Sequence, residues 1–402
     1  MSDVVVIGAG QAAASLVARL RSKGHEGKIT LIGEEPVPPY QRPPLSKDYL
    51  LGKMELERLF LRPEAFYAEN GIDLRTSDTA VSIDRADKTV IAGGEAISYD
   101  HCVLCTGSVP RRLPGAIGGE LEGVHVVRTL RDVDRMAPDC TAGKRVLVVG
   151  GGYIGLEAAA VCTKLGLSVT LVEAADRILQ RVAAPETSAW FRALHKARGV
   201  DLREGVGLKR LIGDTRVTGA ELADGTVLEV DFVIVGVGIT PATELAEACG
   251  LETDNGIAVN AQGQTSDPSI WAAGDCASFP QNEQRMRLES VGNAIDMGEL
   301  VADNIMGAGR DYVAKPWFWS DQYDVKLQIA GLNAGYDRIV VRDGGDGPCS
   351  HWYYAGGTLL AVDAMNDSRA YMVGKRLIEA GKSPDPAAVR DPAGDLKALL
   401  KA

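Results

Sequence analysis

One strand–loop–helix pattern, written twice, constrains this chain more than any other feature. Val4–Ile7 is an unbroken apolar run of the kind found in a strand buried on both faces of a parallel sheet. The loop Gly8-Ala9-Gly10-Gln11-Ala12-Ala13 follows, then a helical pattern to about Arg21 and a second apolar run at Lys28–Ile32. About 140 residues later the same grammar returns. Arg145–Val149 reads as a strand, Gly150–Gly155 as a glycine loop, Leu156–Leu165 as a helix, and Ser168–Val172 as a strand closing on Glu173. Each is a parallel βαβ unit, which needs a crossover helix and a sheet covered on both faces.

The loops carry chemistry as well as shape. In the first, Gly8 permits the tight turn, Gly10 lets a backbone approach a pyrophosphate, and Ala13 keeps helix and strand close, with Ala12 beside it. The helix N-terminus then faces the phosphates. Glu34 lies 26 residues after Gly8, at the end of the next strand, where a carboxylate can accept ribose hydroxyls; Glu35 is the adjacent competitor. In the second, Gly150, Gly152, Gly155 and the intervening Tyr153 and Ile154 repeat the arrangement, with Glu173 placed 23 residues after Gly150. A carboxylate there bonds a 2′-hydroxyl and repels a 2′-phosphate, so NADH is expected over NADPH, with Arg177 the one nearby cation that softens the expectation. Glycines alone would fit a tight turn without a ligand. Strand, helix and terminal acid together point to two dinucleotides, and a nicotinamide with a flavin is the natural pair, since a flavin takes a hydride and passes electrons onward.

Composition removes other classes. The charge is 43 − 54 = −11, which repels a phosphate backbone and argues against nucleic acid as a main partner. The longest apolar stretch, Val146–Cys162, carries Glu157 and several glycines, too polar for a membrane span, and no basic leader opens the chain. The seven cysteines are scattered and odd in number, which fits a reducing cytoplasm and no disulfide framework. None of the five histidines forms a metal-spaced cluster. Gly is in excess, 46 of 402 residues against a usual ~7%, and much of it punctuates strand ends.

Further strands are expected at Ala80–Asp84, Lys88–Ala92, His101–Cys105, Phe232–Val237 and Ile270–Ala273, with helices from about Ser46 and over Asn293–Met306. From about Lys315 the texture changes to period-2 runs around Asp337–Arg342, His351–Tyr354 and Leu359–Asp363 and a helix at Tyr371–Ile378, an antiparallel α+β module. The Pro- and Asp-rich tail Ser383–Asp395 reads as surface.

With these residues in place the chain resembles a known family, the NADH-dependent flavoprotein reductases of ferredoxins and rubredoxins that serve bacterial oxygenases. The markers are Pro-Tyr-Gln-Arg-Pro-Pro-Leu-Ser-Lys at Pro39–Lys47, Cys-Thr-Gly-Ser-Val-Pro at Cys105–Pro110, Gly-Gly-Gly-Tyr-Ile-Gly-Leu-Glu at Gly150–Glu157, Thr-Ser-Asp-Pro at Thr265–Pro268, Ala-Gly-Asp-Cys-Ala at Ala273–Ala277, Glu-Ser-Val-Gly-Asn-Ala at Glu289–Ala294 and Trp-Phe-Trp-Ser-Asp-Gln-Tyr at Trp317–Tyr323. The resemblance implies an α/β fold with two Rossmann-like dinucleotide-binding domains, of the glutathione-reductase-like two-dinucleotide flavoprotein type, plus a C-terminal α+β domain. It implies an FAD domain over 1–110 and 239–314, an NADH domain over 111–238 and a partner-facing domain over 315–402. FAD would be tightly bound and NADH a substrate. Lys47 would sit by the flavin and pair with Glu157; Arg42, Pro43, Val81, Thr106, Gly107, Arg128, Gly274, Asp275 and Val291 would line the FAD site. Gly238 would join the NADH site, and Trp319 would lie beside the isoalloxazine at the electron exit.

Cysteine placement separates sub-classes. Disulfide reductases of this fold pass electrons through thiols beside the flavin, yet Glu34 to His101 contains no Cys. Cys102 and Cys105 are three apart in a strand, so they point to opposite faces with Cα atoms ~10 Å apart, too far for a disulfide. Cys276 is read as packing. The expected activity is therefore hydride uptake from NADH and single-electron delivery to a [2Fe–2S] ferredoxin or rubredoxin. The rivals are an NADH oxidase, peroxidase or disulfide reductase of the same fold, and a redox-controlled binding flavoprotein resembling apoptosis-inducing factor. An acidic reductase meeting an acidic ferredoxin calls for a local basic patch, with Arg310, Lys315, Lys326, Arg338, Lys375 and Arg376 as candidates. A monomer is expected, with a dimer the alternative.

Overall fold

The computed structural model describes residues 2–281, 284–345 and 347–401. They form two compact units. The first comprises Met1–Arg42, Met54–Val109 and Ile239–Lys315, the second Pro43–Lys53, Pro110–Gly238 and Pro316–Ala402.

In the first unit the apolar runs become a five-stranded parallel sheet, in the order Ile270–Ala272, His101–Leu104, Val4–Ile7, Ile29–Ile32, Ile72–Arg75. Val4 pairs with Ile29 on one side and His101 on the other. Strand order therefore reverses about Val4–Ile7, which opens a crevice at its carboxyl end, where the first glycine loop begins. Helix Gln11–Ser22 returns the chain and buries Ala12, Ala13, Leu16, Val17 and Leu20. It packs on helix Val291–Ile305 at very short range, since a methyl on Gly298 would come within 2.5 Å of the Ala12 carbonyl oxygen. The same helix pair is clamped by Arg19, whose Nε and Nη2 donate to the two Asp303 oxygens at 2.8 and 2.9 Å, with Arg310 on the same carboxylate.

The second unit repeats the sheet. Its order is Asp201–Glu204, Ser168–Glu173, Arg145–Val149, Phe232–Val235, Val124–His125, all parallel, with Arg145–Val149 central. The helix after the second loop spans Tyr153–Lys164, one turn earlier than the sequence reads it. Gly155 lies inside its first turn, where a glycine's low helix propensity hides the start. The same unit holds a five-stranded antiparallel sheet in the order Trp317–Gln322, Val325–Gly331, Thr358–Met365, Cys349–Ala355, Arg338–Asp343. Helix Ser368–Glu379 packs on that sheet, with Val373 and Leu377 against Trp352 and Val362.

The sequence separates the βαβ segment from the C-terminal module. In the structure Val325, Leu327, Cys349 and Met365 share one apolar core with Leu156, Cys162, Phe191 and Phe232. Most of the tail Ser383–Asp395 is exposed, as its composition reads, but it is also anchored. Val389 and Leu396 are buried, and Arg342 donates to the carbonyls of Val389, Asp391, Pro392 and Gly394. One buried guanidinium satisfies four carbonyls there, something composition cannot announce. Among the described residues no helix is long and apolar enough to cross a membrane.

The hydrogen bonds from Arg19 hold the Asp303 carboxyl below its ordinary range. Its contribution is therefore present at neutral pH and lost as pH falls through the lowered value. Asp303→Asn should cost about 2 kcal/mol at neutral pH in urea unfolding, a difference that shrinks in strong acid.

Candidate functional site

Two cradles follow from the glycine loops. At the first, Gly8 has φ +101°, and a methyl there would lie 2.3 Å from the Cys105 carbonyl oxygen. That contact lets strand, turn and helix close without spare residues. Gly10 is the opposite case, with no atom within 4 Å of an added methyl. It opens a helix with no side-chain cap and no acid in its first turn, so the first N–H groups stay available. Ala12 and Ala13 are buried behind it. Gly274 (φ +85°) would bring a methyl within 3.1 Å of Ala12. Beside it the Asp275 carboxylate accepts from Ser108 Oγ at 2.9 Å. Thr106 donates to the Ala242 carbonyl, Gly107 has φ +71°, and Val291 opens a helix capped by Ser290. Val81 is exposed on strand Ala80–Asp84.

The two candidate acids separate. Glu35 is engaged by the Tyr40 hydroxyl at 2.7 Å and by Arg42 at 2.8 Å. The Glu34 carboxylate is exposed and takes no partner among the described residues.

The second cradle repeats the sterics. A methyl on Gly150 would lie 2.4 Å from the Gly236 oxygen, and one on Gly155 2.0 Å from the Gly150 oxygen, whereas Gly152 is open. Helix Tyr153–Lys164 also starts without a side-chain cap or an acid in its first turn. Glu173 is fixed by its own backbone surroundings, accepting from Gly151 N at 2.6 Å and Ala175 N at 2.8 Å. Each oxygen keeps further acceptor capacity. Arg177 is turned away, donating to Ser188 Oγ at 2.5 Å and the Gln180 carbonyl at 3.3 Å. Ile154 is exposed, and Gly238 (φ +102°) lies close to Arg181, which the sequence did not flag.

A buried ion pair completes the second unit's polar features. Lys47 sits in a single π-type turn, Leu45–Tyr49, where its own backbone leaves helical geometry. Its Nζ lies 3.1 Å from Glu157 Oε1 and 3.5 Å from Asp321. Glu157 is 4% exposed and also accepts from Ser46 Oγ (3.2 Å) and Ser320 Oγ (2.7 Å). Burial pushes its carboxyl above the ordinary range, opposed first by Lys47 and then by the hydroxyls. Ser46, Ser320 and Asp321 were legible only as neighbours of flagged residues. Trp319 stacks on Trp317, centroids 5.5 Å apart and planes 19° from parallel. Pro43 and Arg128 belong to this unit, and the Arg128 backbone N–H donates to Asp132.

All seven cysteines are free, six of them buried. Burial raises the thiols of Cys102, Cys105 and Cys276, which disfavours the reactive thiolate. Among the described residues no cluster of His, Cys, Asp and Glu could hold a metal ion.

Residues 2–298 match the family described as pyridine nucleotide-disulphide oxidoreductase, and residues 317–400 the reductase C-terminal family. The chain belongs to the pyridine nucleotide-disulphide oxidoreductase family. It is 43% identical to a ferredoxin–NAD(P)(+) reductase of Sphingomonas sp., covering 99% of this chain and 97% of that one. It is 41% identical to the putidaredoxin reductase of Pseudomonas putida, covering 100% and 97%. The crystal structure of a covalent putidaredoxin reductase–putidaredoxin complex superposes with a TM-score of 0.96 at 40% identity, over 100% of this chain and 98% of that one. The chain is thus an oxidoreductase with the two-dinucleotide flavoprotein fold, and its two cradles fit the FAD and NAD(H) of the family: each offers an open glycine at an uncapped helix start.

The glycines sort into two classes that mutagenesis should separate. Gly10→Ala and Gly152→Ala should keep stability within about 1 kcal/mol while weakening dinucleotide binding about tenfold or more. Gly8→Ala and Gly155→Ala should instead destabilise by about 3 kcal/mol or more. Thermal unfolding, with calorimetric titration of FAD into the apoprotein for Gly10→Ala and of NADH for Gly152→Ala, reads the two effects apart.

Proposed function

We propose that this protein is an FAD-dependent reductase that takes a hydride from NADH and delivers electrons one at a time to a [2Fe–2S] ferredoxin serving an oxygenase system. The observation that carries the reading is a pair of dinucleotide cradles in one chain whose Cys102, Cys105 and Cys276 are buried thiols raised by burial. Bound FAD supplies the conversion between two-electron and one-electron chemistry.

The chain's own residues bind, orient and tune. In this reading Gly8, Gly10, Ala12, Ala13, Thr106, Gly107, Gly274, Asp275, Val291 and Val81 belong to the FAD site, and Glu34 rather than Glu35 meets the ribose. Gly150, Gly152, Tyr153, Ile154, Gly155, Glu173 and Gly238 hold NADH. With Arg177 occupied by Ser188 and Gln180, nothing at that position offsets Glu173 against a 2′-phosphate. Lys47, kept in place by Glu157 and Asp321, offers a fixed cation to charge developing beside it. Arg42, Pro43 and Arg128 line the same FAD site, and Trp319 marks the exit. The proposed division is 1–110 with 239–314 for FAD, 111–238 for NADH and 315–402 for the partner. We further read the protein as cytoplasmic and monomeric, with rubredoxin as an alternative acceptor.

Steady-state assays test this directly. NADH turnover should be fast with a [2Fe–2S] ferredoxin and slow with peroxide or a disulfide; the reverse pattern would sink the reading. Ferredoxin reduction should slow as salt rises while ferricyanide turnover holds, because a basic docking patch is screened. Lys47→Met should slow flavin bleaching by NADH in anaerobic stopped flow by roughly 10–100-fold.

A further inference from the structure

Behind the Lys47–Glu157 pair the second unit carries a line of buried polar groups that the proposed function does not use. Ser320, Gln322 and His195 are each fully buried, and none is needed to bind a dinucleotide. Their hydrogen bonds run in one direction. Ser320 Oγ donates its single proton to Glu157 Oε1 at 2.7 Å, so it can only accept from its other neighbour. Gln322 Nε2 donates to it at 3.1 Å. That orientation turns the Gln322 carbonyl oxygen toward His195 Nε2 at 2.8 Å, which must therefore carry the ring proton. Nδ1 is left as acceptor, and the Tyr323 hydroxyl donates to it at 3.2 Å. The proton on Ser320 thus sets an amide orientation, a tautomer and a phenol rotamer in sequence.

A second observation marks the outer end. Gln322 pairs with Val325, so Tyr323 and Asp324 form a two-residue hairpin turn. Tyr323 has φ +59°, the left-handed region that a bulky residue rarely adopts and where such turns favour Gly or Asn. A glycine would relieve the backbone but would lack the hydroxyl that reaches His195. The conformation is held by Lys164 Nζ on the Tyr323 carbonyl at 2.6 Å, by the Arg198 guanidinium 5.3 Å above the ring, and by the His195 ring packed edge-on at 5.1 Å. Strain retained under several restraints is the mark of a constrained functional position.

We infer that Tyr323, His195, Gln322 and Ser320 form a polarised relay of positioning residues that keeps Glu157 a hydrogen-bond acceptor and so holds Lys47 in place. This rests on the proposed role of Lys47 and Glu157. Every donor in the line points inward, so the whole chain favours a carboxylate at Glu157 and opposes the burial that favours the neutral acid. Burial shifts the His195 imidazole below its ordinary range, the direction that favours the single-proton tautomer. The groups facing Glu157 are Lys47, Ser46 and Ser320, with Asp321 on the far side of Lys47. Those facing His195 are Gln322 and Tyr323, with Arg198, Lys164 and Thr163 around the Tyr323 end.

The test is difference infrared spectroscopy of the holoenzyme against pH, following the protonated-carboxyl band assigned by its loss in Glu157→Gln. In Gln322→Met and His195→Phe the pH at which Glu157 takes up its proton should rise by about 0.5–1 unit. Tyr323→Phe should move it less, in the same direction. Tyr323→Gly guards against misfolding: it should unfold no more easily than the wild type while still shifting the band, which a structural role would not produce. The relay is overturned if Gln322→Met and His195→Phe, both folded by circular dichroism, titrate with the wild type. It is also overturned if only Ser320→Ala shifts. Lys47→Met judges the underlying reading separately. If Lys47→Met leaves flavin bleaching unchanged while Gln322→Met still shifts the band, the relay stands and the role of the pair falls.

Discussion

The structure depends on a few places where a backbone must pass another backbone with no side chain between. A methyl on Gly8 would overlap the Cys105 carbonyl, one on Gly155 the Gly150 carbonyl, and one on Gly298 the Ala12 carbonyl. Only glycine permits those approaches, and each one shortens the path from strand to helix or from helix to helix. The consequence is electrostatic. Helices beginning at Gln11 and Tyr153 start directly at the strand ends with their first N–H groups uncapped, so a dinucleotide's pyrophosphate finds donors already in place.

The second theme is desolvation. Glu157 is a carboxylate in a nearly closed environment, a costly arrangement unless its oxygens are satisfied. The chain supplies an ammonium and two hydroxyls, then backs one hydroxyl with an amide, an imidazole and a phenol. In the proposed function, a rigid cation is useful because it does not have to reorganise when charge develops. Burial likewise raises the thiols of Cys105 and Cys276 and disfavours their thiolates.

Much of the fold was legible because the relevant forces are local. The runs Val4–Ile7, Ile29–Ile32, Arg145–Val149 and Phe232–Val235 are strands because each is short, apolar and bounded by turn residues. The boundary at Tyr153 was missed because Gly155 mimics a loop residue. The anchoring of the tail was not legible because the partner of its carbonyls, Arg342, lies about 50 residues away in sequence. Ser46, Ser320, Gln322 and His195 carried no signal of their own; a single Ser or Gln in a sequence is indistinguishable from any other.

By itself, then, the sequence determined the two βαβ units, the positions of the open and closed glycines and the acids that end the second strands, since turn sterics and hydrophobic periodicity act over a few residues. Only the tertiary structure decided that Glu35 is engaged by Tyr40 and Arg42 while Glu34 is not, that Arg177 turns to Ser188, and that a hydrogen-bond line joins Tyr323 to Glu157. The first two are settled by side-chain rotamers within a dozen residues, the last by groups that meet across more than a hundred residues of chain, and hydrogen-bond direction is set only when every donor in a buried line has found its acceptor.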